Sequence, residues 1–267
     1  MIQIQPATPH FPHGAPETLK CEQCAKGAGL DFDFDYAYQP IVDIRTRATF
    51  AHEALVRGPA GESAGSVLGK VTESNRYRFD QACRVKAVAG AAGLGMREYL
   101  SINFLPNAVY RPELCIRTTL EAARLYNFDT RRIIFEVTEG ERVTDRAHLG
   151  NIINKYKELG FLTAIDDFGA GYAGLTLLAD YQPDIIKLDM DLVRNIDKSA
   201  VRQAIVKGMM VICNDLGIRV IAEGIETPAE RDTLADAGIA LMQGYLFCRP
   251  VFRGLGTGDP DAWVARA

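Results

Sequence analysis

The sequence predicts an α/β fold, a closed (β/α)8 barrel in which the first strand runs antiparallel to the second. From about Asp33, short apolar runs alternate with longer amphipathic segments, and eight predicted strands follow with this rhythm. Parallel strands need a crossover of a dozen or more residues, and segments of that length separate most of the strands. One connection is too short for such a crossover, and this makes the predicted barrel irregular.

Each predicted strand is a short apolar run bounded by turn residues. In chain order, the predicted strands are 37–42, 49–56, 99–103, 133–137, 162–166, 184–189, 218–223 and 240–247. The segments between them repeat apolar residues at helical spacing, which predicts helices at 78–92, 145–159, 200–216 and 228–237. Thr227 followed by Pro228 is typical of an N-cap with proline in the first turn of the last of these helices.

The short connection between the first two strands reads DIRTRAT, residues 43–49. A hairpin fits this length, so we expect an antiparallel first pair in an otherwise parallel, TIM-like barrel. The predicted division is an N-terminal extension at 1–32, a barrel at 33–252 and a tail at 253–267 that lies outside the barrel. No repeat or low-complexity linker splits the chain.

Composition excludes several classes of protein. The 267 residues have 48% hydrophobic and 24% charged side chains, typical of a globular domain, and a formal net charge of −4. Without a long run of one charge sign, nothing indicates binding to a nucleic-acid duplex. No apolar run reaches about 18 residues, so no membrane span is predicted. The first residues lack a secretory pattern and the six cysteines form no framework, which favours a cytoplasmic protein with reduced thiols.

The extension contains CEQC, with Cys21 and Cys24 at a spacing that zinc ligands use. This motif is consistent with half of a zinc site, which His10 and His13 would complete to four N/S ligands, although the spacing from His13 to Cys21 matches no established pattern. A partner-docking or flexible arm is the simpler interpretation, and a CxxC outside a βαβ context is weak as a redox motif. The remaining cysteines, Cys83, Cys115, Cys213 and Cys248, are expected to be small buried residues.

Polar side chains lie at or near the ends of seven of the eight predicted strands. They are Glu53 and Arg57, Asn103, Glu136 and Glu139, Asp166 and Asp167, Lys187 and Asp189, Glu223 and Glu226, and Gln243. Active sites of such barrels lie at the rim formed by these strand ends. Several acids in one place repel one another and lose hydration, so they need cations. Ligands that are all oxygen favour hard ions such as Mg²⁺ or Mn²⁺.

The adjacent pair Asp166 and Asp167 fits this interpretation. Their side chains would face opposite ways within a strand, but where the chain turns both can reach the rim, and Asp166 could bridge two ions roughly 3.5–4 Å apart. Taken alone, such a pair is more typical of a solvated turn, Asn103 of a strand end and Lys187 of a salt bridge. Glu226 is more typical of a loop brace or helix cap.

These blocks carry a family resemblance. The chain contains YQPIVD from Tyr38, EALVRG from Glu53, SINF, EVTE, DDFGAG from Asp166, IKLD, AEGIET and QGYLFCRP, in that order. In this order they resemble the EAL family of bacterial cyclic di-GMP phosphodiesterases, over residues 33–252. The resemblance implies a barrel with one antiparallel strand and hydrolysis of cyclic di-GMP to linear pGpG with two Mg²⁺ or Mn²⁺ ions, while Ca²⁺ should inhibit. It also implies a homodimer.

The resemblance implies roles residue by residue. Glu53, Asn103, Glu136 and Asp166 would bind one ion, and Asp166 and Asp167 the second. Lys187 would orient or activate the attacking water, and Glu223, the other catalytic candidate, would hold the metal–water cluster with Gln243. The implied substrate-binding residues are Gln39, Leu55, Arg57, Gln243 and, less specifically, Asp189, which is equally consistent with a structural role. Glu139 would anchor the glycine loop.

The chain departs from the family pattern in two places. The glycine loop has Ala170 and Ala173 where the family often has hydroxyl side chains that could fix the loop, and this difference argues against coupling of the loop to dimerisation. Gly58 stands where an aromatic residue is common after the arginine. No matched ligand is lost, and no GGDEF block is present. The main alternative is a catalytically silent cyclic di-GMP receptor that signals to a partner protein. Such receptors usually lose metal ligands or the lysine, and this chain keeps them all, which counts against that alternative. A divalent-metal barrel acting on carbon acids is a third interpretation.

Overall fold

Nine strands form one sheet that closes on itself, because β1 pairs with both β2 and β8. This computed structural model describes residues 30–138, 146–171 and 174–263. The strands are β1 Asp35–Asp43, β2 Ala48–Arg57, β3 Tyr99–Asn103, β4 Ile133–Thr138, β5 Leu162–Phe168, β6 Ile185–Leu188, β7 Arg219–Ala222, β8 Leu241–Met242 and β9 Val251–Phe252. Successive strands from β2 to β8 pair in parallel, as expected for a (β/α)8 barrel.

Helices cover the outside of the barrel. They are α1 Ala64–Leu68, α2 Arg76–Gly93, α3 Pro112–Cys115, α4 Arg117–Leu125, α5 Arg146–Glu158, α6 Gly174–Asp180, α7 Met190–Val193, α8 Ala200–Leu216 and α9 Pro228–Asp236. Short 3₁₀ helices occupy Pro106–Ala108, Thr130–Arg132, Ile196–Lys198 and Pro260–Trp263. The main hydrophobic core fills the space between strands and helices. None of the helices in the described ranges has the length and apolar character needed to span a bilayer.

The predicted antiparallel first strand is confirmed. β1 and β2 form a hairpin whose register runs from Asp35 opposite Arg57 to Asp43 opposite Ala48, with an irregularity at Ile41 and Val42. β1 also pairs antiparallel with β8, and this closes the barrel. The short segment at residues 43–49 therefore forms a hairpin between antiparallel strands and not a parallel crossover, as its length requires.

The last strands differ from the prediction. The run 240–247 forms only the two-residue β8, because the chain turns at Gly244 against the neighbouring loop. A Cβ on Gly244 would lie 2.1 Å from the carbonyl oxygen of Ile225, so only glycine fits there. The unpredicted β9 pairs antiparallel with Ala37 and Tyr38 of β1.

The tail predicted to lie outside the barrel packs against it as far as Trp263. Trp263 is 6% exposed and belongs to the main core, and Arg231 Nη1 donates to the carbonyl oxygen of Ala262 at 2.8 Å. The tail was predicted to lie outside the barrel because it is rich in glycine and polar residues, and this composition does not indicate that Trp263 is buried. The extension with Cys21 and Cys24 lies outside the described residues.

Two smaller predictions were also tested. Thr227 is the N-cap of α9 and forms a capping box with Glu230, as the Thr–Pro pair predicts. Three of the four cysteines are buried as expected, whereas Cys248 is partly exposed because it lies in the turn after β8.

Candidate active site

The barrel interior has an apolar layer, and polar side chains lie directly above it. A buried cluster of Ile41, Ala51, Ile134, Ala164, Ile185, Ile221 and Leu241 fills the lower layer. Strand side chains alternate, so the residue two positions further along points to the same side. In the parallel strands, those residues are Glu53, Glu136, Asp166, Lys187, Glu223 and Gln243. Six strands therefore direct polar side chains into the same mouth of the barrel, and Asn103 of β3, the seventh predicted strand end, reaches Glu53 there at 3.0 Å.

Lys187 lies at the centre of this group. Its Nζ is 2.7 Å from a carboxylate oxygen of Glu223, 3.0 Å from Glu136, 3.1 Å from Asp166 and 3.4 Å from Glu53. The lysine side chain is 1% exposed. One ammonium thus faces four carboxyl groups, which together would carry a surplus of negative charge if all were ionised.

This charge distribution shifts the pKa values of the cluster. Burial acts to lower the pKa of Lys187, but the surrounding acids outweigh it and raise that pKa well above its usual value. Burial raises the pKa of Glu136 to about 8, although the nearby ammonium acts in the opposite direction. Burial likewise raises the pKa of Glu223 well above its usual range. Burial therefore disfavours the ionised forms of Glu136 and Glu223, and the single ammonium of Lys187 does not offset this effect.

Asp166 and Asp167 do not end their strand, because β5 continues to Phe168. Instead the backbone turns locally: Asp167 has φ 53°, and the pairing of β5 with β6 shifts register between Ile165 and Phe168. Because Asp167 is in the left-handed conformation, the carboxylates of Asp166 and Asp167 both lie at the mouth of the barrel. The sequence predicted this result, but from a turn at the end of the strand. Burial and the neighbouring carboxylate of Asp166 raise the pKa of Asp167 to about 6.

The amides around Glu53 hold its carboxylate in place. Gln243 Nε2 donates to Glu53 at 2.8 Å and to Gln39 Oε1 at 3.1 Å, and Asn103 Nδ2 donates to Glu53 at 3.0 Å. Gln39 Nε2 in turn donates to the carbonyl oxygen of Cys248 at 3.1 Å. Each oxygen of Glu53 thereby accepts from one amide, Oε1 from Asn103 on β3 and Oε2 from Gln243 after β8.

Ser101 is a site residue that the sequence analysis missed. Its buried hydroxyl donates to Glu136 Oε1, while Lys187 contacts Glu136 Oε2. Ser101 precedes Asn103 by two positions, so strand alternation alone indicates that it faces the same interior. Its hydroxyl and the ammonium together fix both oxygens of one acid.

The donor set fits hard divalent cations. Within the described ranges, two groups of acids bring ligand oxygens within 4.8 Å of one another: Glu53, Glu136 and Asp166, and then Asp166, Asp167 and Glu223. Asp166 belongs to both groups, as a bridging ligand would. Carboxylates and an amide with no sulfur or imidazole favour ions such as Mg²⁺ or Mn²⁺.

The remaining predicted residues lie away from this cluster or outside the described residues. Leu55 and Arg57 continue along β2 and are partly exposed, and Arg57 Nη1 donates to the carbonyl oxygen of Val56 at 2.8 Å. Asp189 caps α7 by accepting from Asp191 N at 2.8 Å, and its charge contributes to the raised pKa of Asp167. Glu139 is outside the described residues.

The glycine after Arg57 has a local cause. A Cβ on Gly58 would lie 2.2 Å from Glu62 Oε2, because the side chain of Glu62 folds back over the loop. Glu62 Oε2 also accepts a hydrogen bond from Ala60 N at 2.9 Å. A side chain at position 58 would therefore require the side chain of Glu62 to move.

Two curated proteins illustrate the relatives of this chain. It is 34% identical over 235 residues to the blue light- and temperature-regulated antirepressor BluF of Escherichia coli, covering 88% of this chain. It is 29% identical over 236 residues to the cyclic di-GMP phosphodiesterase PA2567 of Pseudomonas aeruginosa, covering 85% of this chain. The chain spans only 58% and 40%, respectively, of the lengths of these proteins.

Solved structures share the fold and bind cyclic di-GMP. A standalone versatile EAL protein from Vibrio cholerae, in its c-di-GMP-bound form, superposes with a TM-score of 0.86 at 56% identity, covering 89% of this chain and 100% of that one. BlrP1 of Klebsiella pneumoniae, in a manganese and cyclic di-GMP complex, gives 0.80 at 37% identity, covering 86% of this chain and 59% of that one.

A family model described as EAL domain matches residues 30–250, which include the whole barrel from β1 to β8. The match covers every strand that supplies a polar residue to the mouth. The chain belongs to the EAL domain family.

Proposed function

We propose that this protein is a two-metal-dependent phosphodiesterase that hydrolyses cyclic di-GMP to linear pGpG. The observation that carries the proposal is the position of Lys187, whose ammonium lies within 3.4 Å of four acids, three of them buried. The named phosphodiesterase among its relatives and the cyclic di-GMP complexes of similar structures support the substrate.

Charge balance supports two ions. Glu53, Glu136, Asp166, Asp167 and Glu223 carry five negative charges when ionised, and Lys187 carries one positive charge. Two divalent cations would neutralise the remaining four, and the proposal assigns Glu53, Asn103, Glu136 and Asp166 to one ion and Asp166 and Asp167 to the other. When bound, such ions polarise the phosphoryl oxygens and lower the pKa of water.

The protein's own groups have separate tasks in this proposal. Lys187 has three N–H donors on a side chain that is 1% exposed, so it can orient the attacking water and offset charge on the phosphoryl oxygens. Glu223, at 2.7 Å from Nζ, fixes the direction of that ammonium. Gln243 holds the carboxylate of Glu53 in the orientation that a bound cation would require.

Substrate binding is assigned to the residues further out along the mouth. Arg57 offers a planar pair of donors to a phosphate of the substrate, once released from the Val56 carbonyl. Gln39, Leu55, Gln243 and Asp189 complete the proposed substrate site, and Glu139 is proposed to anchor the glycine loop. We further propose that the protein is a cytoplasmic homodimer, which sedimentation at working concentrations tests.

A catalytically silent receptor that signals to a partner protein is the second candidate. The antirepressor BluF favours it, because its name describes action on another protein rather than on a nucleotide. Tight binding of cyclic di-GMP without product under both Mg²⁺ and Mn²⁺ would favour this candidate over the phosphodiesterase.

Product chromatography tests the proposal directly. The purified protein should convert cyclic di-GMP to pGpG with Mg²⁺ or Mn²⁺, and a chelator should abolish turnover. Ca²⁺ should inhibit, because its larger and looser coordination sphere positions water poorly. Glu53→Gln removes one ligand charge and should abolish turnover, whereas Glu158→Gln, at an exposed surface ion pair, should not. Turnover by the Glu53 variant, or in excess chelator, would refute the two-metal proposal.

A further inference from the structure

Two glycines at the mouth of the barrel have positive φ and lie close to residues of the same short helix. Gly169 has φ +101°, and a Cβ there would lie 2.5 Å from Leu192 Cδ1. Gly224 has φ +69°, and a Cβ there would lie 2.5 Å from Met190 Cβ and 3.3 Å from its Cα. Both neighbours belong to α7, the short helix that follows β6. This helix therefore packs directly against the backbone of two neighbouring loops.

These glycines are close in sequence to two acids of the proposed site. Gly224 follows Glu223 directly, and Gly169 comes two residues after Asp167. The backbone of β6 is also hydrogen-bonded on both sides at this level. Asp189 N donates to the carbonyl oxygen of Phe168 at 3.2 Å on β5, and Glu223 N donates to that of Leu188 at 3.2 Å. The start of α7 is thus tied to the chain beside each acid.

A buried carboxylate ties the segment after α7 to the loop after β7. Glu230, 4% exposed, accepts from Asn195 N at 2.8 Å through Oε1 and from Glu226 N and Thr227 N, both at 3.0 Å, through Oε2. Arg194 adds an ion pair to Glu226 at 3.0 Å. Because hydrogen bonds fix the chain before and after α7, we expect the helix to move little when a neighbouring residue becomes larger.

We propose that α7 is a positioning element whose residue Met190, packed on Gly224, sets the distance between Glu223 and Lys187. Lys187 lies three residues before Met190 on the same segment, and Glu223 directly precedes Gly224. The contact between Met190 and Gly224 therefore joins the two segments that carry the 2.7 Å ion pair between Lys187 and Glu223. Leu192 acts in the same way on the loop that follows Asp167. This inference rests on the proposed function, because it concerns the same acids.

Gly224→Ala tests the contact, because the added methyl group must displace either Met190 or the backbone beside Glu223. We expect kcat for cyclic di-GMP to fall by about 10- to 100-fold, the effect of a displacement of roughly 1 Å in a catalytic group. Mn²⁺ affinity measured calorimetrically without substrate should fall by about 10-fold, as for lost support of a ligand.

Gly217→Ala is a matched control. Gly217 also has φ +69°, at the C-terminal end of α8, but no atom lies within 4 Å of the point that a Cβ on it would occupy. Alanine there has the same backbone strain without the collision, so the Tm should fall by roughly 2–4 °C. Its kcat and Mn²⁺ affinity should stay within about 2-fold of the parent protein, which is the spread expected for a distant surface change.

Met190→Gly removes the atom that the new methyl group meets. The Met190→Gly/Gly224→Ala protein should therefore recover at least about 10-fold in kcat over Gly224→Ala, approaching Met190→Gly alone. If Gly224→Ala does not fold, the Tm of the double variant decides: a value within a few degrees of Met190→Gly supports the contact, and failure to fold overturns it.

The outcomes separate this inference from the proposed function. Turnover by the parent protein with equal kcat and Mn²⁺ affinity in the Gly224→Ala and Gly217→Ala proteins would overturn the positioning role alone. A parent protein that neither turns over cyclic di-GMP nor binds Mn²⁺ would overturn the proposed function, and the positioning role with it.

Discussion

Replacing Lys187 with methionine should destabilise the metal-free protein far more than loss of a surface lysine. The side chain is buried and its ammonium is the shared partner of four carboxylates at 2.7–3.4 Å. Removing one partner from a buried ion cluster leaves charge without compensation and costs about 3–5 kcal/mol. For a chain of this size, that corresponds to a decrease in Tm of roughly 6–20 °C.

Divalent cations should reverse part of this loss. In Lys187→Met the acids have lost their internal cation, and no ammonium remains to repel a bound metal ion. Mn²⁺ should therefore raise the Tm of Lys187→Met more than that of the parent protein. At a concentration of about 100 times Kd, a bound ion contributes about 2.7 kcal/mol. Turnover should be lost even where stability is restored, because no donor remains at that point of the site.

Thermal unfolding in chelator and in Mn²⁺ measures both effects. Lys157→Met is the matched control: Lys157 is 38% exposed and lies 3.5 Å from Asp184, so its loss should cost about 0–1 kcal/mol with no dependence on Mn²⁺. Metal-free Lys187→Met with the stability of the parent protein would refute the reasoning, as would a smaller Mn²⁺ shift in the variant.

Two further predictions concern groups that support the mouth. Arg84 is fully buried, 2.6 Å from Asp80, so Arg84→Met should lower the free energy of unfolding by about 3–5 kcal/mol, and the Asp80→Leu/Arg84→Met protein by less, because no lone charge remains. Denaturant titration checks this, and a double variant less stable than the single one would contradict it. Ser101→Ala should weaken Mn²⁺ binding by about 10-fold because Glu136 loses a hydrogen bond, while Ser101→Thr retains most of the affinity. Calorimetry decides this, and an unchanged affinity in the alanine variant would show that the hydroxyl does not orient the acid.

Local patterns predicted the elements whose ends depend on nearby residues. The predicted helix at 200–216 matches α8 at both ends, because Ser199 caps its start and Gly217 ends it in the left-handed conformation. β3 also matches its predicted range. The β1–β2 hairpin was predicted from the length of the seven-residue connection at 43–49 alone. These features involve residues within a few positions of one another.

Elements that depend on distant partners were not predictable in this way. β8 is short because Gly244 meets Ile225, and Val251–Phe252 is a strand only because β1, more than 200 positions earlier, offers it an edge. The position of Trp263 in the core is a result of the same kind. No local pattern in the chain records which distant segment will be adjacent.

The sequence alone determined which side chains face the barrel mouth, because strand alternation and the common register of the strand ends place Glu53, Glu136, Asp166 and Lys187 on one face. Only the tertiary structure decided how those groups share charge. The central position of Lys187, the left-handed turn at Asp167 and the packing of α7 on Gly224 all depend on the spacing between strands. That spacing is set by close packing of segments tens of residues apart, and side-chain packing of this kind leaves no periodic signal in a single chain.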